Sequence, residues 1–222
     1  MVDNFSATFC AFCQQAADGA RLCGACRDAL PWLTQACPLC AQPQAHDAAC
    51  ARCAKKPPPF DSACAAFRLE APVQQAVHAL KYHAGFGAGM LLGELMAQHL
   101  ARRAQPLPQL IIPVPLHRSR LQWRGYNQAR ELARAVTGVL NIAVDDSAAV
   151  RQRATSDQIG LSLTDRRRNL RGAFAAKHRL DGLHVALLDD VMTTGATLAE
   201  LARTVRKAGA QRIEAWALAR VP

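Results

Sequence analysis

The 222-residue chain has no cysteine beyond Cys64, few aromatic residues, no acidic excess and no long uninterrupted apolar run. Each absence excludes something. A membrane-spanning helix needs about 20 mostly apolar residues, and stretches such as LIIPVPL and LHVALL are far shorter. The start, MVDNFSATFC, has no basic segment followed by an apolar core, so it does not read as a secretory signal. Together these predict a cytoplasmic protein without membrane insertion. In that reducing setting cysteines serve metal binding better than disulfides. Aromatic residues make up 5% of the chain, too few for an evident base-stacking platform. G-x-G-x-x-G is missing, and so is the Walker A pattern, which excludes the usual dinucleotide fingerprint and the NTPase phosphate loop.

What is present divides sharply. The formal charge is +10, yet residues 1–64 carry five basic and five acidic side chains, while residues 65–222 carry 22 and 12. All nine cysteines fall between Cys10 and Cys64. Eight form four C-x-x-C pairs: Cys10 and Cys13, Cys23 and Cys26, Cys37 and Cys40, Cys50 and Cys53. Each cysteine of the first four recurs 27 positions later, a tandem duplication. A C-x-x-C knuckle aims two thiolates at one centre, and two knuckles complete tetrahedral coordination of Zn²⁺. Unligated core cysteines would not repeat at a fixed offset, and a redox pair needs one C-x-x-C rather than four. Iron–sulfur ligation uses the same ligands and stays open at this point. The sequence also leaves open whether the quartets are sequential or interleaved; the duplication favours 10/13/23/26 and 37/40/50/53. Cys64, unpaired, reads as a small hydrophobe. Between the units, CRDALPWL predicts a short helix over about 26–32. The prolines of AKKPPPF mark a linker, so the expected division is a head of two four-cysteine units over 1–58 and an α/β domain over 59–222.

Downstream, apolar spacing predicts helices over about 71–80, 89–103 and 127–139. LIIPVPL reads as a buried strand ending by about Pro113, and HRSRLQWRGY as a loop. A short strand is expected near 142–144, and Thr164 or Asp165 as a helix cap. The clearest local unit lies over 183–220: an apolar strand LHVALL ending in Asp189-Asp190, then VMTTGAT, an amphipathic helix, and the strand RIEAWALAR. This is a βαβ unit. Ligands of open α/β sheets bind beyond the carboxyl ends of the strands, where the acidic pair would stand. Amides and hydroxyls of Thr193, Thr194, Gly195, Ala196 and Thr197 at a helix N-terminus suit a phosphate. The acidic pair suits ribose hydroxyls or Mg²⁺.

VALLDDVMTTGATL resembles the phosphoribosyl-pyrophosphate signature of type I phosphoribosyltransferases. IPVPLHRSRLQWRGYNQARELA and ATSDQIGLSLTDRRRNLRGAF are similar to the ComF/GntX-like family, named for its link to bacterial DNA uptake. The head resembles the double zinc ribbon preceding the transferase domain in that family. The resemblance differs from glutamine phosphoribosylpyrophosphate amidotransferase in having neither an N-terminal nucleophilic cysteine nor a glutaminase domain.

The resemblance implies a Rossmann-type parallel sheet with flanking helices. Asp189 and Asp190 would meet the ribose hydroxyls with Mg²⁺ nearby, and Thr193 to Thr197 would hold the 5-phosphate. Leu116, His117 and Arg118 would meet the pyrophosphate through a strained or cis peptide, with Arg124 in the same basic stretch. Region 147–171 would close over the site, offering Arg151, Thr155, Gln158, Arg167 and Asn169. Lys81 and Tyr82 match a further motif of the family. Asp190 would steady a ribosyl cation or accept a proton from the nucleophile.

Three functions follow from these readings. One is a Mg²⁺-dependent phosphoribosyltransferase. Another is a single-stranded nucleic-acid-binding protein of DNA uptake, which would meet DNA or other competence proteins. The third is a structural adaptor. Eight thiolates with two Zn²⁺ add −4, so the head turns acidic and the chain falls to about +6. The basic body, with 11 of its 22 basic residues in 118–171, then suits a polyanionic small substrate as well as nucleic acid. Metal analysis of the purified chain should find about two zinc ions per molecule; one or none would refute the two-site assignment.

Overall fold

The computed structural model describes residues 9–17, 21–82, 85–154 and 169–222. Thr155, Gln158, Arg167 and the helix cap expected at Thr164 or Asp165 lie outside the described residues.

The duplication is reproduced residue for residue. Cys10 N donates to Gln15 O at 2.8 Å and Cys37 N to Gln42 O at 2.9 Å, closing equivalent knuckles. Gln14 and Ala41, 27 apart, both take left-handed backbone, with φ of 62° and 54°. Isolated bridges join Phe9 to Ala16 and Ala36 to Pro43. The short helices α1 (Gly24–Asp28) and α2 (Ala51–Lys55) follow at the same offset. The helix expected over 26–32 is therefore displaced: α1 stops at Asp28 because the next residues run extended along a sheet edge.

That edge is β1 (Ser62–Arg68), which the apolar pattern does not announce. SACAAFR is rich in alanine, a weak strand former. It becomes a strand because it finds partners on both sides. Leu33 N donates to Ala66 O at 2.9 Å and Arg68 N to Pro31 O at 2.8 Å, covering an edge that would otherwise invite aggregation.

The chain continues through α3 (Val73–Tyr82), α4 (Phe86–Ala101), β2 (Leu110–Pro113), α5 (Arg118–Arg124), α6 (Gln128–Leu140) and β3 (Ala143–Val144). After these come β4 (Ala149–Arg151), β5 (Phe174–Ala176), β6 (His184–Met192), α7 (Ala196–Lys207) and β7 (Arg212–Arg220). Five strands form one parallel sheet in the order β1-β7-β6-β2-β3, and β4 and β5 form a separate antiparallel pair. A wholly parallel sheet has both faces covered. Side chains alternate accordingly: Ile111, Leu188 and Leu218 pack with Leu92, Leu95 and Met96 of α4 and Leu132 of α6. Ile112, Leu187 and Ile213 pack with Leu198, Leu201 and Val205 of α7 on the opposite face. A Cβ at Gly93 would lie 2.7 Å from that of Ala135, so α4 and α6 approach too closely there for a side chain.

The ribbons extend both cores. Cys10, Leu22 and Leu30 join the first, while Leu33 and Ala41 join the second. No described helix is long and apolar enough to cross a membrane.

HRSRLQWRGY, expected as a loop, holds the helix α5. His117 caps its start by accepting from Ser119 N, and Gly125, at φ 80°, ends it in the left-handed conformation. Good local caps on both ends sustain a helix that shows no apolar stripe.

Candidate functional site

From β2 the chain crosses to β3, and from β6 it crosses the opposite way to β7. The connections diverge between the carboxyl ends of β2 and β6, and that divergence opens a crevice. Asp189 and Asp190 stand beside it inside β6, which runs on to Met192 instead of stopping at the acidic pair. The reason is pairing: β7 continues alongside, matching Val191 to Ala219 and Met192 to Arg220.

Asp190 is 4% exposed and its Oδ2 lies 3.0 Å from Lys81 Nζ at the end of α3. Tyr126 donates its hydroxyl to Leu80 O and so fixes the helix turn that carries Lys81. Burial favours the neutral acid at Asp190, but the Lys81 charge outweighs it and holds this carboxyl below its usual range. Asp189 goes the other way: burial, reinforced by the neighbouring negative charge of Asp190, pushes its carboxyl well above the usual range. Two adjacent acids thus differ in readiness to ionise. A cation arriving at Asp189 would draw it to the charged form, so a pair of carboxylates here is a donor set of the kind Mg²⁺ takes.

Directly after β6, Gly195 caps α7 at φ 74°, a conformation that other residues adopt only with strain. Thr194 Oγ1 accepts from Ala196 N at 3.3 Å. The first turn of α7 contains no acidic residue, so its amides and positive dipole end are suited to an anion. Thr193, Gly195, Ala196 and Thr197 complete the turn from strand to helix, all partly exposed.

On the β2 side, Asn127 Nδ2 donates to Val114 O at 3.0 Å and anchors the segment leading to His117. The cis peptide among the described residues is Ala71–Pro72, so the bonds at 116–118 are trans and the cis alternative expected there does not hold. A cavity of about 320 Å³ is lined by Tyr82, His117, Ser119, Arg120, Trp123, Arg124, Arg151 and Ala154. Arg118 is exposed and lies outside this lining. Arg124 stacks over Tyr82 at 5.5 Å and donates to Gln128 Oε1 at 2.6 Å. Trp123, 71% exposed, meets Tyr82, 48% exposed, edge-on at 6.2 Å. Burial and the like charge of Arg120 lower the Arg151 pKa, partly offset by Asp189. No carboxylate is among the described lining residues, so the cavity presents cations and aromatic faces. Sequence reasoning passed over Trp123 and Ser119. Reading 118–124 as a helix would have put Arg120, Trp123 and Arg124 on one face, at spacings of three and four.

The cysteines separate as the duplication implies, into Cys10, Cys13, Cys23, Cys26 and Cys37, Cys40, Cys50, Cys53. Cys13 and Cys23 sulfurs are 3.7 Å apart, and those of Cys40 and Cys50 are 3.8 Å apart. Four sulfurs 2.3 Å from a tetrahedral Zn²⁺ stand about 3.8 Å from one another. Both quartets therefore fit zinc. The Cys13 amide brings the Cys10 thiol down to about 6, while hydrogen bonding to Cys13 and Cys23 pushes Cys26 up to about 12. Such crowding is what a divalent ion relieves by holding every thiolate at once.

The lowered carboxyl of Asp190 sets a pH dependence. Stability from its pairing with Lys81 is fully present above the unfolded-state value of about 3.9 and is lost as pH falls through the lower native value. Denaturant unfolding of wild type and Lys81→Met should differ most near neutral pH and converge as pH falls through the lowered native value. A gap independent of pH would contradict the pairing.

The double zinc ribbon domain family matches residues 2–54 and the phosphoribosyl transferase domain family residues 121–222. The chain is 37% identical over 205 residues to DNA utilization protein YhgH of Salmonella typhi, covering 90% of each. It is 34% identical over 218 residues to Competence protein F of Haemophilus influenzae, covering 95% of this chain and 90% of that one. Among solved structures it resembles a glutamine phosphoribosylpyrophosphate amidotransferase from B. subtilis complexed with ADP and GMP. That likeness has a TM-score of 0.41 at 19% identity, over 60% of this chain and 26% of the other. With its two four-cysteine zinc sites and its parallel α/β sheet, the chain belongs to the ComF/GntX-like family, a double zinc ribbon joined to a phosphoribosyltransferase domain.

Proposed function

We propose that the protein binds phosphoribosyl pyrophosphate with Mg²⁺ in the crevice between β2 and β6 and transfers its phosphoribosyl group. The observation that carries this reading is the Lys81-held Asp190 beside a protonation-prone Asp189, directly before a glycine-capped helix N-terminus. The carboxyls of Asp189 and Asp190 accept hydrogen bonds from the 2- and 3-hydroxyls of the ribose. Residues Thr193 to Thr197 donate amides and hydroxyls to the 5-phosphate. His117, Arg120 and Arg124 face the leaving pyrophosphate, and Arg151 adds positive charge from the far wall. As the bond from C1 to pyrophosphate breaks, the sugar becomes cationic, and the ionised Asp190 stabilises that charge at short range. An acceptor nucleophile forms the new bond to C1 as the bond from C1 to pyrophosphate breaks, and the nucleophile's proton passes to the departing pyrophosphate. Mg²⁺, when bound, would neutralise part of the diphosphate charge, and Asp189 would be the carboxyl that holds it.

Titration calorimetry with phosphoribosyl pyrophosphate and Mg²⁺ should show one site on wild type. Asp190→Asn and Gly195→Val should weaken binding by about 100-fold while zinc content stays unchanged. Absence of binding to folded, zinc-replete wild type would refute the reading.

A second reading is favoured by the exposed pair Trp123 and Tyr82 among arginines, and by relatives named for DNA utilization and competence. Bases of a single strand stack on such rings while arginines take its phosphates. On this reading, single-stranded DNA binding falls steeply with salt, and Arg120→Gln or Arg124→Gln each reduces the salt slope by about 1. Binding indifferent to salt and to Trp123→Ala would exclude it.

A further inference from the structure

The second ribbon and the β6–α7 turn are tied by one buried side chain. Arg220, the last residue of β7, is 2% exposed. Its Nε donates to Cys40 O at 3.2 Å and its Nη2 to Gln42 Oε1 at 2.5 Å, both in the knuckle of the second zinc site. Its Nη1 donates to Met192 O at 3.1 Å and to Val221 O at 2.6 Å. Met192 O also accepts from Val221 N at 3.1 Å.

Met192 immediately precedes Thr193. A peptide unit is planar, so a carbonyl held by two donors also fixes the direction of the following N–H. The first amide of the Thr193 to Thr197 turn is thereby aimed by Arg220. The guanidinium fork is rigid and reaches both partners at once, which a lysine cannot do.

Charge adds a second link. Among the described residues Arg220 has no carboxylate partner; its four acceptors are carbonyl oxygens. A buried cation is costly without a counter-charge. Four thiolates around Zn²⁺ carry a net −2, and Cys40 is a ligand whose own carbonyl touches the guanidinium. Among the described residues the first ribbon shows no such connection: it meets α4 through Arg21, which pairs with Glu94 at 3.0 Å and donates to Gly87 O at 2.9 Å.

We propose that Arg220 is a positioning residue through which the second zinc ribbon sets the donor-phosphate turn, so that occupancy of the Cys37–Cys53 site governs that turn while the Cys10–Cys26 site does not. The inference rests on the donor reading above for its functional consequence, but the coupling itself is independent of any ligand.

The test uses full-length protein purified with zinc in four forms: wild type, Arg220→Lys, Gln42→Ala, and Cys13→Ser, which removes a ligand of the first site, as the first-ribbon control. Amide hydrogen exchange is followed in a peptide spanning 192–198, beside zinc content and thermal midpoint. Arg220→Lys should speed exchange of this segment by about tenfold while both other measures hold. Gln42→Ala, which removes a single bond at the rim, should act in the same direction more weakly. Cys13→Ser should leave the segment as in wild type. Donor affinity should fall in parallel by about tenfold in Arg220→Lys. Unchanged exchange in Arg220→Lys, or an equal effect from Cys13→Ser, would overturn the coupling. If wild type fails to bind donor yet exchange responds as described, the coupling stands and the donor reading falls.

Discussion

The placement of β6 is the constraint on which the rest of the molecule depends. It lies at the centre of the sheet, paired in parallel with β7 on one side and β2 on the other. Being buried on both faces, it must be apolar almost throughout, which is why two acidic residues near its end are informative. Lys81 offsets the charge of one of them, and burial together with that neighbouring charge pushes the second toward its neutral form. The same strand delivers the chain to Gly195 and α7, so donor hydroxyls, carboxylates and helix amides converge within a few residues. Everything else at the site is brought to this strand from a distance: Lys81 by α3, His117 by the segment after β2, Arg151 by β4.

The duplicated ribbons began as equivalent halves and were made unequal by what they touch. Three of the four cysteines of the second quartet are buried, against one of the first. The second ribbon sits at the end of β7 and the first lies over α4. Neither hangs on a flexible tether: residues 31–33 pair with β1, and Ala63 N donates to Pro38 O at 2.8 Å. Zinc thus supports more than the short segments that ligate it, because those segments complete both hydrophobic cores.

A second buried charge system lies near the start of β7. Glu214, fully buried, accepts from Arg103 at 2.7 Å and from Trp216 at 2.9 Å, and stands 3.0 Å from His184. Those partners overcome burial and hold its carboxyl below the usual range. Its chemistry is structural: it joins β7 to the end of α4 and the start of β6, at the end of the sheet remote from the crevice.

Periodic and repetitive signals were legible from the residues alone. The 27-residue offset specified two knuckle pairs because zinc imposes ligand geometry locally, and the βαβ unit over 183–220 stood out because apolar period, acidic pair and glycine turn agree. Signals that depend on distant partners were not legible. SACAAFR carries no strand pattern and is ordered by β7. HRSRLQWRGY has no apolar stripe, and its caps, rather than its period, make it a helix. The acidic pair read as lying past a strand end because nothing nearby revealed that β7 continues beside it. The sequence by itself determined the family, the zinc ligands and the make-up of the Thr193–Thr197 turn, since each depends on residues close together in the chain. Only the tertiary structure decided that Lys81 meets Asp190, that Tyr82 and Trp123 share a cavity with the arginines, and that Arg220 joins a zinc knuckle to Met192. Those contacts span tens to nearly two hundred residues, and no local period encodes a partner that far away.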